Sequence, residues 1–144
     1  MTSIQQQIEI EWPVEALFNY VSDLSNNHAW QRQVVDATWI GENRHEVGSA
    51  FLQTRSILGK QVPALMQMTS YQRFQKRSWI ILHDRLRQEL ALEFEPRGEK
   101  TLLKLTIDFD LKGSVRSLKP AVLKHAMREG YENLSRLKNI LENS

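Results

Sequence analysis

"TLLKLTIDFDLKG", Thr101–Gly113, places Leu103, Leu105, Ile107, Phe109 and Leu111 at every second position. Period two is the spacing at which a strand turns side chains to one face, so the stretch predicts a strand with one wholly apolar side. Such a row demands a cover, because antiparallel sheets usually bury one face and leave the other to water. The cover follows directly in the chain. From about Ser117 to Glu142 the apolar positions take helical spacing, at Leu123, Met127, Leu134, Leu137 and Leu141. Lys124, Arg128, Glu132, Arg136 and Asn139 alternate with them as solvent-facing candidates. A helix of about 25 residues is nearly 40 Å long, enough to lie across a whole sheet.

The rest of the chain supplies that sheet. "SIQQQIEIEW" alternates at Ile4, Gln6, Ile8, Ile10 and Trp12, a half-buried strand. Pro13 suits a first helical turn, and Val14, Leu17, Phe18 and Val21 then share one helical face. "DLSNNHAW" is rich in capping and turn residues and reads as a short second helix or a compact loop. Five further period-two runs precede Thr101: "VVDATWIG", "HEVGSAFLQTRSIL", "VPALMQMTSYQ", "RSWIILHD" and "RLRQELALEFE", with "GENR", "LGKQ" and "EPRGEK" as turns. The order strand, helical region, six strands, long helix predicts an α+β domain whose curved antiparallel sheet grips one helix.

Composition sets limits. A chain of 144 residues, 41% hydrophobic and 25% charged, is sized for one globular domain, and no linker or repeat divides residues 1–144. Nineteen Lys and Arg against seventeen Asp and Glu leave a net charge of +2, too balanced to imply nucleic acid or an anionic membrane as partner. No apolar run is long enough for integral membrane association, and the first residues lack a secretory pattern. Cysteine is absent, which excludes thiolate chemistry and fits a reducing cytoplasm.

Three stretches carry a family resemblance. "IEIEWPVEALFNYVSDLSNNHAW", Ile8–Trp30, is similar to the first strand, Pro-started helix and closing Trp of the START-related, birch-pollen-allergen-like superfamily, SRPBCC. "HEVGSAF" around Gly48 and "HAMREGYENLSRLKNILE" as the closing helix extend the likeness over nearly the whole chain. Within that superfamily the chain resembles the polyketide cyclase/dehydrase-type group. The resemblance implies a helix-grip fold: a seven-stranded antiparallel sheet wrapped around a long C-terminal helix, with short helices between strands 1 and 2. It also implies a cavity between sheet and helix that binds or transforms hydrophobic small molecules such as lipids, sterols, polyketides and plant hormones. These are signatures of fold rather than of a reaction.

Gly130 lies in the middle of the closing helix, where glycine costs ~1 kcal/mol relative to alanine. Its spacing from Met127, Leu134 and Leu137 turns it toward the sheet. Either it permits a tight approach to a bulky strand residue such as Phe109 or Trp79, or it leaves room for a ligand. A cavity for an apolar guest needs aliphatic and aromatic walls with few polar groups. The candidates for its lining are Met66, Met68 and Met127, adaptable in shape, with Trp30, Trp79, Leu90, Leu105, Ile107, Phe109 and Leu134. Each of these is equally at home as core filling. Gln88 breaks an apolar face between Leu86 and Leu90, and an inward amide there must find partners. On the third strand Thr54 and Ser56 share a face with Leu52, opposite Gln53 and Arg55; Leu52 and Thr54 join the candidates for the lining, the small hydroxyls as weak polar contacts.

No constellation of covalent or metal chemistry is present in the sequence. His28, His45, His83 and His125 make no HxH, HExxH or His–carboxylate cluster, and there is no GxSxG, Walker loop or GxGxxG. His83–Asp84 is the most suggestive acid–base pair, yet its position suits a solvated turn. The basic runs "RFQKR", Arg73–Arg77, and "RLR", Arg85–Arg87, lack aromatic interleaving and read as a solvated outer face. The expectation is therefore a binder of a small hydrophobic or amphipathic molecule, without cofactor or metal and with no assigned catalytic residue. Its rivals are a polyketide cyclase or dehydratase and a protein-interaction module; a homodimer is left open.

Overall fold

The computed structural model describes residues 2–57, 59–82 and 86–143. One antiparallel sheet runs in the order β1-β7-β6-β5-β4-β3-β2. Its strands are β1 (Thr2–Ile10), β2 (Val34–Ile40), β3 (Ala50–Ile57), β4 (Lys60–Gln72), β5 (Lys76–Leu82), β6 (Leu86–Arg97) and β7 (Lys100–Leu111). Between β1 and β2 lie α1 (Val14–Ser22), a 3₁₀ turn (Leu24–Asn26) and α2 (Asn27–Trp30). A second 3₁₀ turn (Gly113–Leu118) leads into α3 (Lys119–Glu142). This is the helix-grip arrangement expected from the sequence.

The first and last strands are neighbours because β1 pairs with β7, Ile4 opposite Ile107 and Gln6 opposite Leu105. Bulges between Val34 and Asp36 and between Met68 and Ser70 bend the sheet, as an unpaired extra residue does. Leu103, Leu105, Ile107 and Phe109 are all buried, so the apolar row of β7 faces the core. They join Leu17 and Phe18 of α1 and Leu134, Leu137 and Leu141 of α3 in one apolar cluster.

The far end of α3 is tied to β1 and the residues just after it by polar contacts. Trp12 Nε1 donates to the Leu141 carbonyl at 3.0 Å, and Lys138 Nζ donates to the Glu9 carbonyl at 2.6 Å. The buried stripe of α3 is Ala126, Gly130, Asn133, Leu134, Leu137 and Leu141. Met127 is 50% exposed and does not line the concave side. The stripe runs through Gly130, whose neighbour one turn earlier is Ala126; Met127 is rotated about 100° further round.

Strand β3 also corrects the sequence reading. Leu52 is 41% exposed and Thr54 shares its outer face, whereas Phe51 and Gln53 are buried. Pairing decides the parity. Phe51 lies opposite Met66 and Gln53 opposite Ala64, both buried, while Leu52 lies opposite the exposed Leu65. The strand expected from His45 begins only at Ala50.

Candidate functional site

Most of the residues expected to line a cavity are core residues of the concave face. Met66, Met68 and Trp79 are buried on β4 and β5, Leu105, Ile107 and Phe109 on β7, and Trp30 and Leu134 on α2 and α3. Gln88 and Leu90 lie on the same face of β6, opposite Phe109 and Ile107, yet stay half-buried. Leu52, Thr54 and Met127 belong elsewhere, as described above. His83 and Asp84 lie outside the described residues.

Gly130 is a contact point. A Cβ built there would sit inside the van der Waals envelope of Gln6 Oε1 and 3.3 Å from Leu105 Cδ2. Gln6 Nε2 meanwhile donates to the Met127 carbonyl at 2.7 Å. Helix and sheet therefore touch at Gly130, through Gln6 and Leu105 rather than Phe109 or Trp79, and leave no room for a guest at that position.

Open volume lies instead at the other end of the concave face. A cleft of about 730 Å³ separates Asn19, Ser22, Asp23, Leu24 and Ser25 from Ala37, Thr38 and Trp39 of β2, with Arg44, His45, Tyr71 and Arg73 completing its walls. An aromatic chain forms one side. Trp39 meets His45 at 5.1 Å and Phe51 at 5.5 Å between ring centroids, and His45 meets Tyr71 at 5.7 Å. Asp23 caps the following turn by accepting from Ser25 N–H and Ser25 Oγ, which fixes the rim. Partial loss of solvent, reinforced by the cations Arg77 and Arg44 against the pull of Asp23, holds the His45 imidazole below the usual range.

Behind the cleft lie two inward arginines with different surroundings. Arg55 Nη2 donates to Glu129 of α3 at 2.6 Å, a partly buried ion pair that Gln33 Nε2 joins. Arg77 is only 3% exposed and, among the described residues, forms no ion pair. Its Nη1 donates to the Val21 carbonyl at 2.7 Å, its guanidinium stands over the Trp79 ring at 5.5 Å, and its Nε has no acceptor among the described residues. Burial lowers it to about 10, opposed by Tyr71, so it remains a cation at neutral pH. This corrects the expectation of a solvated outer face for Arg73–Arg77 at Arg77, while Arg73 and Gln75 are exposed. The signal that could have found it is parity, since Arg77 stands two residues before the inward Trp79 on the same strand.

Among the described residues no three His, Asp or Glu side chains converge as a metal site would need. The arrangement can hold an apolar body against rings and place a buried cation near it. An α+β fold with a helix gripped by a curved sheet, and a ligand-sized cleft on its concave side, defines the class. The chain belongs to the family described as polyketide cyclase/dehydrase and lipid transport, whose model matches residues 1–139.

Solved structures agree on the fold. A START superfamily protein from Mycobacterium smegmatis is 18% identical, with 98% of this chain and 97% of that one covered and a TM-score of 0.82. A protein from Thermus thermophilus is 18% identical, with 99% of each chain covered and a TM-score of 0.80. The Zhui aromatase/cyclase of a Streptomyces species is 11% identical, with 98% and 93% covered and a TM-score of 0.80. At these identities the likeness is one of fold. No curated protein sequence matches the chain.

Proposed function

We propose that this chain, acting as a single domain, binds a small hydrophobic or amphipathic molecule on the concave side of its sheet. The observation that carries this reading is the cleft of about 730 Å³, where Leu24, Ala37, Trp39 and Tyr71 offer apolar surface among polar residues that include Asp23, Arg44 and Arg73. That size is within the range of small-molecule pockets, about 300–1,000 Å³. Its inner wall continues into the apolar cluster, since Trp39 pairs with Phe51 across β2 and β3. Burial of apolar surface would drive association, at about 25 cal/mol per Å² before ordering costs. Family membership supports the same ligand class. Among the described residues no helix is long and apolar enough to cross a membrane.

Native mass spectrometry of the purified protein, followed by extraction and identification of any adduct, tests the reading. Titration with the neutral fluorophore 1-aminoanthracene should saturate at one site and weaken in Trp39→Ala. No adduct together with no saturable binding would sink the proposal. A cyclase or dehydratase activity is the second reading, supported by His45 at the cleft wall beside Tyr71, with its imidazole held below the usual range. Under it, a linear poly-β-keto thioester is cyclised by the wild type, while His45→Gln binds it without turnover.

A further inference from the structure

We propose that Arg77 and Trp30 form an anion-binding subsite that takes the carboxylate of an amphipathic ligand whose apolar part lies in the cleft. This rests on the binding reading above and names the chemistry of its ligand. Trp30 and Arg77 line one small interior void of about 10 Å³, together with Val21, Asn27, Phe51 and Gln53. Trp30 Nε1 and Arg77 Nε are both buried donors without an acceptor among the described residues. Gln53 Oε1 already accepts from Asn27 Nδ2 at 3.0 Å.

A buried charge is normally paired, because taking an ion out of water costs several kcal/mol. Arg55 follows that rule through Glu129. Arg77 is more deeply buried and, among the described residues, has a backbone carbonyl and a ring face but no anion. Unpaired N–H groups of an indole and a guanidinium at one void call for an acceptor oxygen, and a cation makes that oxygen an anionic one.

The void lies next to the cleft. Leu24 walls both, and Tyr71, the cross-strand partner of Arg77, faces the cleft. As it stands the void has room for about one water. A carboxylate entering from the cleft would place one oxygen in that space and meet the donors there through charge-assisted bonds.

The test compares dodecanoate with dodecan-1-ol at neutral pH by displacement of 1-aminoanthracene, on the wild type, Arg77→Met and Trp30→Phe. The wild type should bind the carboxylate about tenfold or more tightly than the alcohol, the worth of one charge-assisted hydrogen bond. Arg77→Met should abolish that preference. Trp30→Phe, which removes only the indole donor, should reduce the preference, so the subsite is still tested if Arg77→Met does not fold. Equal binding of the two probes by the wild type overturns the subsite, reduces the void to a water site, and leaves the binding reading standing. If neither probe displaces the fluorophore although the fluorophore binds, the subsite again falls alone. If the fluorophore itself does not bind, both readings fall.

Discussion

Gly130 shows what one residue's spacing can and cannot reveal. Its inward direction follows from helical periodicity, but its partners depend on β1 returning to pair with β7, a contact between the two ends of the chain. Gln6 and Leu105 are cross-strand neighbours, and the helix descends onto both. The geometry gives a coupling prediction. Gly130→Ala gains ~1 kcal/mol of helix propensity, yet its methyl displaces a Gln6 amide that is bonded to the Met127 carbonyl. Losing that bond and crowding the site costs about 1–3 kcal/mol. Urea denaturation should therefore show Gly130→Ala destabilised by about 1 kcal/mol in the wild-type background and stabilised by about as much in Gln6→Ala. Additive effects would show that the amide yields freely. Arg77 is legible in principle from its parity with Trp79, and is obscured by the charge run around it.

Among elements, α3 has the longest signal in the sequence and the subtlest error. A stripe of Leu123, Met127, Leu134, Leu137 and Leu141 differs from the observed one chiefly at Met127, because Ala126 and Gly130 carry too little apolar surface to register in a pattern of large side chains. Leu137→Ala should cost about 2–5 kcal/mol, being fully buried, while Met127→Ala should stay within about 0.5 kcal/mol. Equal losses at both positions in thermal denaturation would contradict the observed face. Parity in β3 is illegible for a related reason: each face of "AFLQTRS" holds one large apolar residue, so only pairing with β4 decides.

The last turn of α3 carries a pH prediction. Glu142 accepts from Lys138 Nζ at 2.8 Å and from Glu11 N–H at 2.9 Å, and these bonds hold its carboxyl below the usual range. A folded pKa below the unfolded one means that protons favour the unfolded chain. The contribution is thus present above the ordinary carboxylate value of about 4.3 and is lost as pH falls through the folded value. Glu142→Gln should lower stability at neutral pH and flatten that acid limb; parallel profiles for the two proteins would remove the bond's role.

At the scale of the whole molecule, the strands and their order are readable as successive period-two runs, whereas the place where the layers part is not. That place depends on where small residues let them meet. The two sides of the sheet are unequally anchored. Ile10, Leu103 and Leu137 are fully buried where β1, β7 and the second half of α3 converge. At the opposite edge β2 turns Val35 and Ile40 to solvent. The first half of α3, which begins beside Thr2 and Phe109–Leu111, buries only Ala126 among residues 119–129. Local opening draws on the weakly packed elements, and β2 among them walls the cleft that a guest would enter. Hydrogen exchange should find the slowest amides in β7 and in residues 130–141. Those of β2, β3 and the first half of α3 should open with roughly 2–3 kcal/mol less, about a hundredfold faster. Saturating dodecanoate should then slow exchange in β2–β5, α1 and α2 while leaving β7 unchanged, because a ligand adds protection to the openings that would release it. Protection confined to β1 and the second half of α3 would place the guest on the sealed side and refute the asymmetry.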